Sequence, residues 1–219
     1  MSGQTTQSKT QGMNDWTPVY LDDFLKAGAV VRSFVGDHDI ALWRSFSGKV
    51  HAWLNRCPHR GMRLSYGFVR GEMLACIYHG WHYGEDTVCR YIPAHPELTP
   101  PDTIQATAFN CVQKGGLIWV GKEDANKAAL NGPEGHGVRS LVINAPLQNV
   151  RSALGMDDAI SSKVNVEKIP SILALQALSD NKTNLHILSQ EPMEPEQKKV
   201  LSRWAEQARR EIELEQGTT

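Results

Sequence analysis

The sequence predicts a mainly β protein, in which an antiparallel sandwich or small barrel precedes a small domain of mixed α and β structure. Between residues 16 and 121, short segments rich in Val, Ile, Phe and Trp alternate with glycine-containing turns, a pattern typical of antiparallel strands. Residues 122–137 are polar, contain Gly and Pro and show no hydrophobic periodicity, which indicates a linker. Residues 138–219 then combine strand-like and helix-like patterns.

The first domain is expected over residues 16–121, after a polar leader at residues 1–15. The segment "LDDFLKAG" predicts a short helical stretch that ends at Gly28. The segments "AVVRSFV", "IALWRSF" and "VHAWLN" are separated by "GDHD" and "SGK", which favours hairpins. Further short strands are predicted up to "GGLIWVG", so that about eight strands make up this domain.

The C-terminal residues predict a smaller domain. "VRSLVIN" predicts a strand, and "APLQNVRSALG" predicts a short helix with Asn144 as its N-cap, Pro146 in its first turn and Gly155 after its end. "SILALQAL" and "TNLHILSQ", joined by "SDNK", predict a hairpin. From Pro195 onwards, apolar residues spaced by three or four positions predict an amphipathic helix. These residues are Val200, Leu201, Trp204, Ala208 and Ile212.

Composition excludes several classes of partner. The formal net charge of -1 gives no electrostatic reason to expect nucleic acid or an anionic membrane as a partner. No apolar run approaches the length of a membrane-spanning helix. Residues 1–15 lack the apolar core of a secretory signal, so a cytoplasmic location is expected.

Two short stretches carry the candidate chemistry: "NRCPHRGMRL" at residues 55–64 and "LACIYHGWHYGE" at residues 74–85. Each holds one Cys-His pair followed by glycine, Cys57 with His59 and Cys76 with His79. In a reducing compartment such a set favours metal binding over disulfides. The composition of the set alone leaves zinc and an iron–sulfur cluster open. Zinc fingers usually pair Cys with Cys and His with His, whereas a Rieske [2Fe–2S] centre needs two Cys and two His.

The remaining motif residues favour the cluster. "C-P-H-R-G", "C-I-Y-H-G-W", the opening "W-T-P-V", the downstream "Y-I-P-A-H-P" and the closing "G-G-L-I-W-V" together resemble the N-terminal Rieske domain of the Rieske non-haem iron oxygenases, which hydroxylate rings or demethylate. The resemblance covers roughly residues 16–121. It implies a Rieske-type antiparallel β-sandwich holding a [2Fe–2S] cluster, with Cys57 and Cys76 on one iron and His59 and His79 on the other.

The resemblance also suggests roles for neighbouring residues. Arg60, Gly61 and Gly80 follow ligands, and the glycines are expected to have φ > 0 or to approach the cluster closely. Tyr78 and Trp81 are expected to shield the cluster from water, with ordinary packing as the alternative. Pro93 and Pro96 resemble the loop that covers the cluster. His82 is interpreted as a surface or supporting residue rather than a ligand.

The reduction potential of the cluster is expected to be low among Rieske centres. Rieske proteins of respiratory complexes carry an additional loop disulfide and a serine donor, and here the corresponding positions are Met62, Tyr78 and Trp81. Fewer hydroxyl donors near sulfur make reduction harder, because hydrogen bonds stabilise the added negative charge. We therefore expect a potential toward the lower end of the roughly −150 to +300 mV Rieske range. Cys89 and Cys111 are expected to be ordinary buried or half-buried thiols.

The second domain does not match the family's catalytic domain, whose mononuclear iron is held by two histidines and a carboxylate. After residue 122 the only histidines are His136, in the predicted linker, and His186. Asn184 stands where the resemblance would require an acid. A mononuclear iron site of the chain's own is therefore not expected. Residues 138–219 resemble a truncated helix-grip domain, for which docking or oligomerisation is the expected role.

These features predict an electron-transfer subunit of a multicomponent oxygenase system for ring hydroxylation or demethylation. The subunit would take single electrons from a reductase or ferredoxin and pass them to an oxygenase catalytic subunit, within a hetero- or homo-oligomer. Two alternatives are an assembly subunit whose cluster is structural and a divergent complete oxygenase.

Overall fold

The computed structural model describes residues 16–121, 134–156 and 160–216. The predicted leader and residues 122–133 of the predicted linker lie outside the described residues. Residues 16–121 form a six-stranded antiparallel sheet of order β1-β10-β9-β4-β3-β2 and a four-stranded one of order β5-β6-β7-β8. The strands are β1 Trp16–Leu21, β2 Val30–Val35, β3 His38–Arg44, β4 Val50–Leu54, β5 Phe68–Arg70, β6 Met73–Ala75, β7 His82–Gly84, β8 Cys89–Tyr91, β9 Ala108–Lys114 and β10 Leu117–Gly121.

The predicted antiparallel β fold is confirmed, and the expected hairpins are present. β2 pairs with β3 and β3 with β4, so that "GDHD" and "SGK" mark the turns. The predicted helical segment near the N-terminus is only a 3-10 turn, Asp22–Phe24. A second 3-10 turn, Leu64–Tyr66, follows the first Cys-His stretch.

One core of this domain lies directly beneath the two Cys-His stretches. Trp43 and Trp53 are buried and their rings meet edge to face at 4.9 Å. They belong to the same apolar cluster as Leu64 and the two cysteines of the stretches. Because close-packed interiors resist deformation, this core holds the ends of β4 and β6 in fixed positions. The residues that follow these strands begin the two loops described below.

Residues 136–156 and 160–216 form the second domain. Its antiparallel sheet has the order β11-β14-β13-β12. Its elements are β11 His136–Ile143, α1 Leu147–Ala153, β12 Ser161–Val166, β13 Ile169–Ser179, β14 Lys182–Ser189 and α2 Pro195–Gln216. β13 and β14 form the predicted hairpin, and α2 begins at Pro195 as predicted.

Three details of this domain differ from the sequence expectations. β11 begins at His136, within the segment predicted to be a linker. β12 was not predicted, because "SSKVNV" is too polar to show strand alternation. Pro146, not Asn144, is the N-cap of α1; the backbone and side-chain amides of Asn144 instead donate to Glu213, at 2.7 and 2.9 Å.

The buried face of α2 also differs in part. Leu201, Ala205, Ala208 and Ile212 are its buried residues, whereas Val200 is 36% exposed. Val200 therefore lies at the margin of the apolar face rather than within it.

The sheet of the second domain is covered on both faces. One face packs against α1 and α2 through a core that includes Leu173, Leu185 and Leu201. The other face packs against β1 and β10, where Ile172 and Leu188 join an apolar cluster with the first domain. The two domains are thus joined by buried apolar surface.

Polar side chains cross the same junction. The Gln176 amide donates to the Ser33 hydroxyl at 3.0 Å and to the Phe34 carbonyl at 2.7 Å. The Asn184 amide donates to Gln176 Oε1 at 3.2 Å. Buried polar groups must be paired to avoid a desolvation penalty, and this chain of bonds satisfies them across the interface. No helix among the described residues is long and apolar enough to cross a bilayer.

Candidate metal centre

Two loops with the same backbone hydrogen bonds present the Cys-His pairs. In the first, the Cys57 N–H donates to the Met62 carbonyl at 2.7 Å, and the Gly61 N–H donates to the Cys57 carbonyl at 2.8 Å. The second repeats both bonds at the same spacing: Cys76 to Trp81 at 2.9 Å and Gly80 to Cys76 at 3.0 Å. The two stretches therefore fold as one motif used twice.

Each loop depends on its glycine. Gly61 has φ +72° and Gly80 has φ +68°, in the left-handed region that side chains disfavour. A Cβ on Gly80 would lie 2.9 Å from Pro93 Cγ, so Pro93 packs directly on the second loop. The expectation that the glycines have φ > 0 is confirmed.

The two loops bring the two histidines together and the two cysteines together. The rings of His59 and His79 lie 4.7 Å apart between centroids. Cys57 and Cys76 are buried and hydrogen-bonded to each other, and this bond, the largest cause, lowers the pKa of Cys57 to about 5. The same bond, followed by burial, raises the pKa of Cys76. Because the thiolate is the metal-binding form, the buried pair has the chemistry of a metal ligand set.

Backbone N–H groups donate hydrogen bonds to the two sulfurs. The N–H groups of His59 and Arg60 donate to Cys57, and those of Tyr78 and His79 donate to Cys76. Such donors stabilise negative charge on sulfur. The symmetry of the two loops thus extends to the groups that support their sulfurs.

Tyr83 is a functional candidate that sequence reasoning missed. It lies in β7, fully buried, with its hydroxyl 3.1 Å from Cys57 Sγ. Burial is the main cause that raises its pKa, followed by the bond to Cys57, so it stays a protonated donor. The sequence predicted few hydroxyl donors near the sulfurs, and the structure adds one donor that was not foreseen, the Tyr83 hydroxyl. The available sequence signal was its position four residues after His79.

The aromatic neighbours cover the two imidazoles unequally. Trp81 stacks on His59 at 4.0 Å with 5° between the planes, and is half-buried. Tyr78 lies 3.9 Å from the His79 ring but is 56% exposed. His79 is itself exposed. Trp81 therefore shields its imidazole from water, whereas Tyr78 leaves His79 open to solvent.

The unpaired polar atom at the centre fits a bound metal. His59 Nδ1 is buried and has no hydrogen-bond partner in the described part of the chain. An unsatisfied buried nitrogen costs roughly 1–3 kcal/mol, a penalty that coordination would remove. Two thiols and two imidazoles suit a [2Fe–2S] cluster, which takes two of these ligands per iron.

His82 supports the second loop. It is buried in β7, and its Nδ1–H donates to the Gly80 carbonyl at 2.5 Å. Burial lowers its pKa, which favours the neutral ring. Its position matches the supporting role considered from the sequence, although it is buried rather than at the surface.

Cys89 lies in the same buried cluster as Cys57 and Cys76, whereas Cys111, His136 and His186 lie in other parts of the fold. Cys89 is buried and Cys111 half-buried. His136 pairs with Ser189, and His186 pairs with Ser140. His186 is fully buried, with its Nδ1 2.8 Å from the Ser140 hydroxyl. Within residues 16–121, 134–156 and 160–216, no three His, Cys, Asp or Glu side chains are placed to hold a single metal ion.

Comparisons with known proteins agree with this geometry. The family model for the Rieske [2Fe-2S] domain matches residues 15–110. Oxidoreductase NdmD of Pseudomonas putida is 35% identical over 159 residues, which are 70% of this chain and 26% of that protein. The 4beta-methylsterol monooxygenase of Methylococcus capsulatus (strain ATCC 33009 / NCIMB 11132 / Bath) is 40% identical over 120 residues, 52% of this chain and 32% of that one. The chain thus spans a quarter to a third of these relatives.

Solved structures extend the likeness in fold beyond the first domain, to 93–94% of this chain. Dicamba monooxygenase bound to 3,6-dichlorosalicylic acid superposes with a TM-score of 0.72 at 16% identity, covering 94% of this chain and 88% of that one. NdmB of Pseudomonas putida CBB5 superposes with a TM-score of 0.69 at 18% identity, covering 93% and 83%. Residues 15–110 of this chain therefore match the Rieske [2Fe-2S] domain family, and one similar protein is named as an oxygenase component.

Proposed function

We propose that Cys57, His59, Cys76 and His79 hold the [2Fe–2S] cluster and that the chain is an electron-transfer subunit of an oxygenase system. It takes single electrons from a reductase or ferredoxin and delivers them to a mononuclear iron in a partner subunit. The observation that carries this proposal is the pair of matched loops, which place two buried thiols together and two imidazole rings 4.7 Å apart. The bound cluster supplies reversible one-electron chemistry.

The residues around the centre perform three tasks. The cysteines are buried, and the stacked Trp81 shields one face of His59 from water. The N–H donors and the Tyr83 hydroxyl stabilise negative charge on sulfur. The exposed His79 offers an aromatic path from the centre to the surface, where a partner can approach.

The second domain supports delivery to another polypeptide. Its sheet is filled on one face by α1 and α2 and on the other by β1 and β10. Among the described residues, His136 and His186 do not lie together, and His186 is enclosed at the domain junction. These observations favour an oxygen-activating iron in a partner over one in this chain.

Iron and sulfide analysis with EPR tests the proposal. The purified chain is expected to contain two irons and two sulfides and to show a Rieske-type signal on reduction. Cys76→Ser should abolish the signal, while Cys89→Ser should retain it. A third iron per chain would support a complete oxygenase instead, and tetrahedral zinc without sulfide would contradict the proposal.

Electron delivery separates the proposal from an assembly role. The reduced chain is mixed with an oxygenase subunit that lacks a Rieske motif, and reoxidation is followed by absorbance. Rapid reoxidation only in the presence of that subunit supports electron transfer. A complex that forms without reoxidation, and that dissociates when the cluster is removed, favours the assembly role.

A further inference from the structure

A pocket of about 290 Å³ lies beside the first cluster loop. One wall is the loop itself, and the other is formed by the segment that leads into β9. Its lining residues include Arg56, Cys57, His59, Arg60, Gln105 and Thr107. The pocket thus touches the loop that presents two of the proposed cluster ligands, from the solvent side.

The polar groups of this pocket suit an anion. Two guanidinium groups, Arg56 and Arg60, face an amide and a hydroxyl on the opposite wall, Gln105 and Thr107, and the lining contains no carboxylate. Both arginines are exposed. In the described part of the chain neither forms an ion pair, unlike Arg63, which pairs with Asp39 at 3.5 Å. The positive charge is therefore not neutralised internally.

Arg56 is held in place by the loop. Its Nε lies 3.3 Å from the position that a Cβ on Gly61 would take, so the guanidinium packs across the glycine turn. A guanidinium held in this way loses less side-chain entropy when it binds a carboxylate through two hydrogen bonds. The local charge also opposes that of the whole chain, which is -1.

We propose that this pocket receives a carboxylate side chain of the protein that exchanges electrons with the cluster. That partner presents an acidic surface to the first loop, and the Arg56 and Arg60 guanidiniums bind it there. The inference rests on the proposed electron-transfer function and specifies the chemistry of the partner. Opposite charges at the contact raise association rates by about 10- to 1000-fold, and salt screens the effect.

Small redox probes of opposite charge test the inference without the natural partner. The reduced holoprotein is mixed with hexacyanoferrate(III) or with hexaamminecobalt(III). Each takes one electron from the cluster, giving hexacyanoferrate(II) or cobalt(II). A positive local field predicts that the anionic oxidant reacts faster at low salt and slows as salt rises, whereas the cationic oxidant does the reverse. If the net charge of the chain governed both reactions, the two trends would be exchanged.

Matched variants localise the effect. Arg56→Glu should slow oxidation by hexacyanoferrate(III) about tenfold at low salt and speed oxidation by hexaamminecobalt(III). Arg70→Glu makes the same change in net charge but lies at the turn end of the β5–β6 hairpin, over Phe68. Arg70→Glu should leave both rates near those of the wild-type protein. Equal effects of the two variants would overturn the inference.

Binding of a redox-inert anion gives a second readout. Hexacyanochromate(III) carries the same charge as hexacyanoferrate(III) and does not accept the electron. Equilibrium dialysis should show binding by the wild-type protein and by Arg70→Glu, and about tenfold weaker binding by Arg56→Gln. Unchanged binding by Arg56→Gln would overturn the pocket assignment alone. A reduced cluster that neither oxidant can oxidise would instead overturn the proposed electron-transfer function, while the dialysis result would still decide the pocket.

Discussion

The contact between the hydroxyl of Tyr83 and the sulfur of Cys57 affects how easily the proposed cluster is reduced. The two atoms lie 3.1 Å apart in a buried environment. A hydrogen bond to sulfur stabilises the reduced cluster more than the oxidised one, because the reduced cluster carries one more negative charge.

Tyr83→Phe should therefore make the cluster harder to reduce. Loss of ~1 kcal/mol of differential stabilisation corresponds to a potential about 40 mV lower for a one-electron couple. A redox titration followed by EPR measures the change. Tyr78→Phe, which alters an exposed ring beside His79, serves as the control and should leave the potential nearly unchanged. An equal shift in both variants would contradict the role assigned to Tyr83.

His186 makes the stability of the chain sensitive to acid. It is fully buried between the domains, and desolvation, the largest cause, lowers its pKa to about 4, partly offset by a bond to the Pro18 carbonyl. The unfolded chain titrates near 6.5. Between these values the unfolded state binds more protons, so stability is complete above about pH 6.5 and falls as the pH approaches 4.

The loss should reach roughly 3 kcal/mol across this window. Urea unfolding followed by tryptophan fluorescence at several pH values measures it. His186→Gln should make the dependence between pH 4 and 6.5 shallower, whereas His136→Gln, at an exposed position, should retain it. A His186→Gln curve parallel to that of the wild-type protein would rule out His186 as the titrating group.

At the scale of elements, the second loop depends on the fit between Gly80 and Pro93. Gly80→Ala introduces two costs: a left-handed φ of +68° and a Cβ 2.9 Å from Pro93 Cγ. Gly71→Ala introduces the first cost alone, since φ is +59° and nothing lies within 4 Å. The backbone cost is about 1–2 kcal/mol in either case.

We expect Gly80→Ala to destabilise the chain more than Gly71→Ala and to lower iron content. Urea unfolding and iron analysis measure the two effects. Adding Pro93→Ala to Gly80→Ala should restore part of both, because it removes the steric contact and leaves the backbone strain. If the double variant were no better than Gly80→Ala, the contact with Pro93 would not be the cause.

Sequence patterns predicted some secondary-structure elements and site residues but missed others. The β13–β14 hairpin was predictable because two long apolar runs flank a polar turn. The Cys-His loops were predictable because each stretch holds one Cys and one His followed by glycine. β12 was not, since an edge strand with residues such as Ser161 and Lys163 needs little apolar surface. The role of Tyr83 requires knowledge of which way β7 faces, and a three-residue strand is too short to show this by alternation.

At the scale of the whole molecule, the junction between the domains is both apolar and hydrogen-bonded. Gln176 is 1% exposed and bonds to Ser33 and to the Phe34 carbonyl. Gln176→Met keeps the volume but leaves these partners unsatisfied, which costs about 1–3 kcal/mol.

Gln176→Met should therefore lower the free energy of unfolding and speed hydrogen exchange in both β2 and β13. Gln113→Met is the matched control, because Gln113 bonds to Asp22 in an exposed setting, and it should change stability by less than about 0.5 kcal/mol. Faster exchange in β13 alone would show that the bonds do not couple the domains.

The unequal covering of the two imidazoles has a kinetic consequence. Trp81 covers one face of the half-buried His59, whereas His79 is exposed, so under the proposed function the donor and the acceptor both approach the more exposed imidazole, His79. The two partners then compete for the same surface, and the donor must dissociate before the acceptor can bind. Raising the donor concentration should first accelerate and then inhibit the coupled reaction, because bound donor blocks the acceptor.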